Sequence, residues 1–187
     1  MEMNIVMDKQ KIMELTREFL IAIGENPDRK GLIDTPKRVA KMCGELLNPD
    51  NAYLRYTTFD SEEYSGIVLV KNIDFSSICE HHLLPFFGKI HVAYIPDKKI
   101  IGISKFARIV DKHAKKLQLQ EKLAQEIIND INGKICPRGV AIYIEANHLC
   151  MNIRGINRRN STTVTTLFSG EFEQPENQKI FLNITKQ

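Results

Sequence analysis

The segment SSICEHHLLPF, residues 76–86, places a cysteine, a glutamate and two histidines in four consecutive positions. Cys79 and His82 are separated by two residues, a spacing that lets one turn direct a thiolate and an imidazole at the same ion. Zinc favours this pair of ligand types in a tetrahedral arrangement. Two ligands are too few, so a metal site here requires side chains from elsewhere in the chain.

The segment ANHLCM, residues 146–151, offers the missing side chains. His148 and Cys150 are two positions apart in a segment that we predict as a strand. Alternate residues of a strand face the same side of a sheet, so we expect both to face one site. Together with Cys79, His81 and His82 they make five candidates, one more than a closed tetrahedral site uses.

The spacing alone leaves two kinds of metal site open. Four protein ligands would give a closed, structural site, whereas three would leave a position for water, as in catalytic sites. The surplus histidines favour the catalytic form, because histidines beside an activated water suit proton transfer near neutral pH. Either motif taken alone is more simply an ordinary turn or strand without a metal.

A basic helix is the second chemical feature. Ser104 is followed by cations at helical spacing, namely Lys105, Arg108 and Lys112. The free N–H groups and the dipole at a helix start favour anions, so this segment could hold phosphate. A solvated basic face is the alternative. Further positive charge occurs elsewhere in the chain, at Arg38, Lys41 and Arg154.

Two polar residues, Gln120 and Glu121, follow the basic segment. A carboxylate can accept two hydrogen bonds from an N–H/NH2 edge such as that of guanine. Glu145, in a predicted strand, is a second acid that we expect to be buried. The alternative for each is an ordinary polar role.

The apolar spacing predicts three helical regions. The first covers residues 9–23 and stops at Gly24, and the second begins with Thr35 as its N-cap and ends at Pro49. The third covers residues 104–133, with a break near residues 117–120 that indicates two helices or a bend, and with Gly133 as its stop.

Short β-branched and aromatic segments bounded by Gly and Pro predict four strands. They are GIVLVKNIDF, GKIHVAYIP, GVAIYIEANHLCMNIRGI and STTVTTLFSGEF. The order is two helices, two strands, a helical pair and two strands. It predicts an α+β fold with an antiparallel sheet and helices on one face.

Composition places the chain among ordinary globular proteins. It has 187 residues, 43% of them hydrophobic and 26% charged, with a net charge of +3, which suits one domain and does not indicate nucleic-acid binding. No apolar run approaches the roughly 18 residues of a membrane helix, and the charged N-terminus does not resemble a signal peptide. We therefore expect a cytoplasmic protein whose four cysteines are reduced.

Several segments, in this order and spacing, resemble GTP cyclohydrolase I over about residues 34–184. They are DTPKRVAKM, CEHHLLPFFGKIHVAYIP, GISKFARIV, LQLQEKLAQEI, GVAIYIEANHLCMNIRGI and NSTTVTTLFSGEF. Lys122 stands where many relatives carry Arg, and INRRNS is unusually basic. Neither departure touches a residue of the implied site.

The resemblance implies a role for each candidate residue. The implied zinc ligands are Cys79, His82 and Cys150, with water in the fourth position. The implied proton-transfer residues are His81 and His148. The implied triphosphate contacts are Ser104, Lys105, Arg108 and Arg154, with Arg38 and Lys41 of a neighbouring chain. The implied readers of the guanine edge are Gln120 and Glu121.

The resemblance also implies a fold, an assembly and a reaction. The fold is the tunnelling fold, an antiparallel four-stranded sheet with two antiparallel helices on one face, in residues 61–187 after an N-terminal helical region, 1–60. The assembly is a homodecamer of two stacked pentamers with active sites between subunits. The reaction opens the imidazole ring of GTP at C8, releases formate and forms 7,8-dihydroneopterin triphosphate. Neither nucleic acid nor a membrane is an expected partner.

Two other functions compete with this one. Another tunnelling-fold enzyme is disfavoured, since the pterin synthase uses three histidines for zinc and the nitrile reductase uses a cysteine nucleophile without zinc. A non-catalytic zinc module that binds RNA through the basic helix would need neither a guanine-reading acid nor spare histidines.

Overall fold

The structure is a computed structural model that describes residues 7–47 and 57–186. The chain divides into two compact units, Met1–Asn48 and Pro49–Gln187. The first unit contains two helices that pack on each other, α1 (Lys9–Ala22) and α2 (Thr35–Leu46). The helix predicted over residues 9–23 is therefore confirmed, and the Asp8 side chain caps it by accepting from the Lys11 N–H at 2.9 Å.

Helix α2 begins one residue away from its predicted start. Thr35, expected as the N-cap, is the first residue of the helix, because the Asp34 carbonyl already accepts the first helical bond from the Arg38 N–H at 3.0 Å. Pro36 is the second residue of the helix, within its first turn. The predicted stop at Pro49 lies outside the described residues.

The second unit is built on a five-stranded sheet with the order β5-β2-β3-β6-β7. Its strands are β2 (Val68–Cys79), β3 (Pro85–Ile95), β5 (Leu117–Gln118), β6 (Gly139–His148) and β7 (Thr163–Gly170). All neighbours are antiparallel except β5, which pairs in parallel with β2. A separate two-stranded sheet joins β1 (Thr58–Asp60) and β4 (Lys99–Ile101).

Two helices cover one face of the large sheet, α3 (Ser104–Ala114) and α4 (Gln120–Ile135). The predicted break near residues 117–120 is confirmed, since the short strand β5 separates the helices. Gly133 does not stop α4. The buried apolar stripe continues through Ile131 to Ile135, and the helix ends only at Cys136, which has a left-handed backbone with φ 44°.

The opposite face carries a smaller apolar cluster with a helix that the sequence analysis did not identify, α6 (Pro175–Lys186). The cluster consists of Ala93, Ile95, Ala141, Phe172 and Phe181. A short 3-10 helix, Glu171–Glu173, leads from β7 into α6. The prediction of an α+β fold is confirmed. The predicted placement of the helices on one face is wrong, because α6 covers the opposite face, and the sheet has a fifth strand, β5, that is parallel to its neighbour. Within the described residues, no helix is both long enough and apolar enough to span a bilayer.

A β-bulge in β2 determines which way its last residues face. The register with β3 shifts between Val70 and Ile73, and Asn72 between them adopts φ 57°. Val70 packs against the helix-side core before the bulge, and Ile73 and Cys79 belong to the same core after it. Because side chains alternate along a strand, the extra residue is what keeps Cys79 on the helix side.

Gly88 lets β3 and β6 approach closely near the end of the sheet where the site lies. A Cβ at this position would overlap the Glu145 carbonyl oxygen and lie 2.8 Å from the Ala146 Cα. In the same register, two positions along, Phe86 lies opposite His148. Gly88 therefore allows the close strand pairing that sets a phenylalanine against a site histidine.

Candidate active site

A tight turn after β2 presents the CEHH residues. The Cys79 carbonyl accepts from the Leu83 N–H at 2.9 Å, and the Cys79 N–H donates to the Leu84 carbonyl at 2.9 Å. Leu83 adopts a left-handed backbone with φ 53°, which closes the turn. The Glu80 N–H donates to the Gln118 carbonyl at 3.1 Å and so joins the turn to β5.

Cys79, His82 and Cys150 converge at the end of the sheet. One possible ligand atom from each lies within 4.8 Å of the other two. Cys79 is buried, Cys150 half-buried and His82 exposed, so the cluster opens to solvent on one side. The three residues form the one such group of three or more His, Cys, Asp or Glu side chains in residues 7–47 and 57–186.

The predicted backbone around Cys150 is wrong, although the predicted convergence occurs. Strand β6 ends at His148, and the short helix α5 (Leu149–Asn152) begins at the next residue. Cys150 thus reaches the cluster from a helical turn and not by alternation along a strand. The sequence pattern does not reveal the change from strand to helix, because residues typical of strands continue past His148, where β6 ends and loses its partner strands.

The electrostatics of the two thiols fit a metal cation. Burial raises the pKa of the Cys150 thiol, and the neighbouring Cys79 raises it further. Two neighbouring thiolates repel each other, so a bound cation that compensates their charge stabilises the ionised pair. Two thiolates and an imidazole are a donor set typical of zinc, so the residues present fit this ion.

His148 lies beside the cluster in a defined orientation. Its ring stacks on Phe86 with centroids 4.7 Å apart and an interplanar angle of 7°, and its Nε2 is 2.7 Å from the Gln120 Oε1. Burial lowers the pKa of His148, while the charge of Glu121 acts in the opposite direction.

His81 is exposed on the same turn. Its ring lies edge-on to that of His82, with centroids 6.3 Å apart and an interplanar angle of 84°. The two predicted proton-transfer histidines therefore differ, since His148 is held by neighbouring side chains and His81 stands at the surface beside a metal-type ligand.

The predicted cations of α3 lie at the start of that helix. Ser104 is its first residue and not the predicted cap, since the first turn closes earlier, with the Lys105 N–H donating to the Gly102 carbonyl at 2.8 Å. Ser104 and Arg108 are exposed and Lys105 is half-buried. Lys112, also part of the basic pattern, instead contacts Asp130 at 2.7 Å.

The remaining predicted cations are exposed. Arg154 follows α5, whose Cys150 belongs to the cluster. Arg38 and Lys41 lie on α2 in the first unit, each near an acid four residues away in the sequence, at 3.5 Å and 3.6 Å. Such exposed pairs contribute roughly 0–1 kcal/mol, so they leave both cations able to bind an anion.

The two predicted guanine readers occupy different environments at the start of α4. Glu121 is exposed, whereas Gln120 is buried with all its side-chain polar atoms bonded to the protein. Glu145, which we expected to be buried, is exposed on β6. It lies on the sheet face away from α3 and α4, because it alternates with the buried Ile144.

Phe86 belongs to the site but was not among the residues predicted from the sequence. Phe86 is fully buried and supports the His148 ring from the neighbouring strand. A signal was present, because Phe86 lies shortly after the histidine pair, at the start of a strand. Its pairing with His148 depends on the register between β3 and β6, which alternation alone does not specify.

Comparison with known proteins agrees with the geometry. The model of the family described as GTP cyclohydrolase I matches residues 12–186. The GTP cyclohydrolase 1 of Sulfurihydrogenibium sp. is 48% identical over 96% of this chain and 96% of its own length. The chain belongs to the GTP cyclohydrolase I family. The match includes every residue of the site described above, from Arg38 to Arg154.

Further relatives carry the same name. The GTP cyclohydrolase 1 of Acetivibrio thermocellus is 52% identical over 88% of this chain and 90% of its length. The GTP cyclohydrolase 1 of Aquifex aeolicus is 46% identical over 97% of this chain and 99% of its own length. The predictions of the family and of an enzyme of this class are confirmed. A solved structure of the apo archaeosine synthase QueF-Like aligns with 56% of this chain at a TM-score of 0.44 and 21% identity, too weak a similarity to carry an argument.

Proposed function

We propose that this GTP cyclohydrolase I family member opens the imidazole ring of GTP at C8, releases formate, and recloses the rearranged product to 7,8-dihydroneopterin triphosphate. This reaction is the first step of pterin and tetrahydrofolate synthesis. The observation that carries the proposal is the convergence of Cys79, His82 and Cys150 beside His148. The family match supplies the substrate.

Zinc is the proposed metal, held by Cys79, His82 and Cys150. When bound, zinc supplies a Lewis acid that makes water a nucleophile near neutral pH. The protein contributes a turn that fixes two ligands and a helical turn that brings the third. Because three protein ligands converge among the described residues, the arrangement corresponds to a catalytic site and not to a closed structural one.

His81 and His148 are the proposed proton-transfer residues. Attack at C8 is easier when N7 of the purine is protonated, and ring opening and reclosure then require further proton transfers. A histidine near the reacting atoms can exchange protons at neutral pH. His148 is fixed by Phe86 and Gln120, which supports a role that needs a defined direction of transfer.

Glu121 is the proposed main reader of the guanine edge. Its exposed carboxylate lies in the first turn of α4 and can accept from both the N1–H and the amino group of guanine. Gln120, the second reader that the resemblance implies, precedes Glu121 in α4, but its side-chain amide is bonded within the protein.

The triphosphate is the proposed anchor of the substrate. Its proposed contacts are Ser104, Lys105, Arg108 and Arg154, together with Arg38 and Lys41 of a neighbouring chain. The start of α3 is the positive end of its helix dipole and carries the cations Lys105 and Arg108, a combination that favours phosphate. Since the triphosphate does not react, its binding energy serves to orient the purine at the metal.

We further propose that residues 61–187, within the second unit, form a tunnelling-fold domain after an N-terminal helical region, 1–60, and that the chain forms a homodecamer of two stacked pentamers. The antiparallel strands β2, β3, β6 and β7 with α3 and α4 on one face support this fold. Sites between subunits would bring the cations of α2 to a neighbour's metal. The four free cysteines are compatible with the proposed cytoplasmic location, and neither nucleic acid nor a membrane is proposed as a partner.

Incubation of the zinc-loaded full chain with GTP tests the function. We expect formate and, after oxidation and dephosphorylation, fluorescent neopterin, with both abolished in His81→Ala. Formate without a pterin would limit the activity to ring opening. Neither product, with zinc bound at one per chain, would overturn the proposal in favour of a non-catalytic zinc module.

A further inference from the structure

We propose that Gln120 is a positioning residue for His148, holding its ring and the hydrogen on Nε2, and not a reader of guanine. The inference rests on the proposed function, because it concerns the direction in which His148 exchanges a proton. It assigns to the Gln120 side chain a role different from the one that the sequence resemblance implies.

The orientation of the Gln120 amide follows from its partners. The residue is only 2% exposed, and its Nε2 donates to the carbonyls of Ile144 at 3.3 Å and Thr163 at 3.1 Å. Carbonyl oxygens only accept hydrogen bonds, so the amide nitrogen must face them. The amide oxygen must therefore face His148.

This orientation determines which nitrogen of His148 carries a hydrogen. The Gln120 Oε1 can only accept, so at 2.7 Å the His148 Nε2 donates its hydrogen to it. Phe86 fixes the plane of the ring at the same time. Among the described residues no hydrogen bond engages the His148 Nδ1, which is thus the nitrogen left to exchange a proton with the substrate.

The same bonds leave the Gln120 side chain unsuited to guanine. The N1–H and amino group of guanine are donors and need an acceptor, but the Gln120 oxygen is already 2.7 Å from His148. Both amide hydrogens are used by backbone carbonyls. The exposed carboxylate of Glu121 is the acceptor that remains for the purine edge.

Gln120 also connects the elements that meet at His148. Its two carbonyl partners lie on β6 and β7, and β6 ends at His148 itself. The first residue of α4 is therefore bonded to both strands and to the histidine. A shift of α4 would change the position of the imidazole together with that of the neighbouring Glu121.

Gln118 provides a matched control within the same chain. It is fully buried, and its Nε2 donates to the His113 carbonyl at 3.0 Å and to the Glu126 Oε2 at 2.9 Å. Its Oε1 accepts from the Leu119 N–H at 3.0 Å. Gln118 thus has the same burial and a similar set of bonds, but the partners of its side chain are His113, Glu126 and Leu119, which lie outside the proposed site.

The test compares Gln120→Met with Gln118→Met in the zinc-loaded full chain, with GTP as substrate. Methionine keeps the length of the side chain and removes its hydrogen bonds. We expect both variants to lower Tm, and only Gln120→Met to lower kcat, by between about 10-fold and 100-fold, because the imidazole loses its orientation. KM for GTP should change by less than about threefold, as for a group that acts in the transition state.

A double-mutant cycle and a structure complete the test. In a His148→Ala background, Gln120→Met should cause little further loss of kcat, since the residue it positions is absent. In crystals of Gln120→Met the His148 ring should leave its stacked position on Phe86, and in Gln118→Met it should keep it.

Several outcomes would overturn the inference. A raised KM with unchanged kcat in Gln120→Met would identify Gln120 as a substrate reader. An equal fall of kcat in Gln118→Met would show a general structural effect, and an unmoved His148 ring in Gln120→Met would show that Gln120 does not position it. Absence of product from the unaltered protein would refute the proposed function instead, and the crystal comparison would still test the positioning.

Discussion

His113, near the end of α3, and His148, at the end of β6, are two enclosed imidazoles in the same unit whose partners differ. The His113 Nε2 lies 2.9 Å from the Asp130 Oδ2, and its Nδ1 lies 3.4 Å from the Glu126 Oε2. At His148 one nitrogen contacts the neutral amide of Gln120, and the flat face contacts Phe86. Both rings are oriented, but only His148 keeps a nitrogen without a partner among the described residues.

The carboxylates that contact His113 also have cations as partners, unlike the amide that contacts His148. Lys112 contacts Asp130 at 2.7 Å, and Lys116 contacts Glu126 at 2.7 Å. Each carboxylate therefore has a cation as well as the imidazole, and the network joins α3 to α4. A histidine engaged through both nitrogens connects helices, whereas one engaged through a single nitrogen is oriented and can still exchange a proton.

The largest expected effect separates the two histidines by activity. His148→Ala should lower kcat for GTP by between about 100-fold and 10,000-fold, as expected for loss of an acid–base group. His113→Ala should keep kcat within about threefold in the fraction that is folded, since the His113 ring contacts Glu126 and Asp130, which lie outside the proposed site. Steady-state formate release measures both. A comparable fall of kcat in His113→Ala would remove the distinction between the two imidazoles.

The two variants should differ in stability in the opposite direction, with the larger loss in His113→Ala. His113→Ala should lower the free energy of unfolding by about 1–3 kcal/mol, because the side chain of Asp130, only 6% exposed, loses one of its partners. His148→Ala should lower the free energy of unfolding by less, because the His148 ring is half-buried and makes one hydrogen bond among the described residues. Denaturant titration of both variants gives the two values. A larger loss in His148→Ala would contradict the structural role of the His113 network.

The smallest expected effect is the pH dependence of stability that His113 contributes. Burial lowers the pKa of His113, although its bond to Asp130 and the charge of Glu126 act in the opposite direction. The folded protein then binds this proton less readily than the unfolded chain. The contribution is fully present above about pH 6.5 and is lost as the pH falls through the lowered pKa.

Denaturation midpoints between pH 7 and pH 5 measure this contribution. The free energy of unfolding should fall with acidification by no more than about 1.4 kcal/mol per pH unit from this group. His113→Gln should flatten the profile over the same range. A protein that becomes more stable on acidification, with the gain lost in His113→Gln, would show that the two carboxylates outweigh burial.

Part of the site follows from the sequence alone. The spacing of Cys79 and His82 predicts that one turn presents both, and the structure has that turn. Cys150 was expected to join them by alternation along a strand, but it does so from α5. The convergence of the three ligands is more predictable than the backbone conformation that brings Cys150 to them. The local backbone geometry at the end of a strand depends on where its partner strands stop.

The support of His148 could not be predicted. Gln120 is a single polar residue in the sequence, and its partners are backbone carbonyls 24 and 43 positions away. The bulge at Asn72 has a similar cause. Apolar residues stand on both sides of this part of β2, so alternation does not reveal where one extra residue reverses the pattern.

The fold was predictable where the pattern was strong. The four main strands and the α3–α4 pair are confirmed because long apolar stripes define them. Helix α6 was missed. It buries only Phe181 among its residues and contains several poor helix formers, so the face it covers on the sheet stabilises it more than its own sequence does.

X-ray absorption at the zinc edge of the zinc-loaded full chain tests most directly whether Cys79, His82 and Cys150 bind the metal and leave a position open. We predict two sulfur ligands at about 2.3 Å, one imidazole nitrogen and one light atom from solvent. Cys150→Ser should lose one sulfur, and Cys136→Ser, which changes an exposed cysteine, should leave the spectrum unchanged. Zinc bound without sulfur, or by four protein ligands, would contradict a catalytic centre built on these three residues.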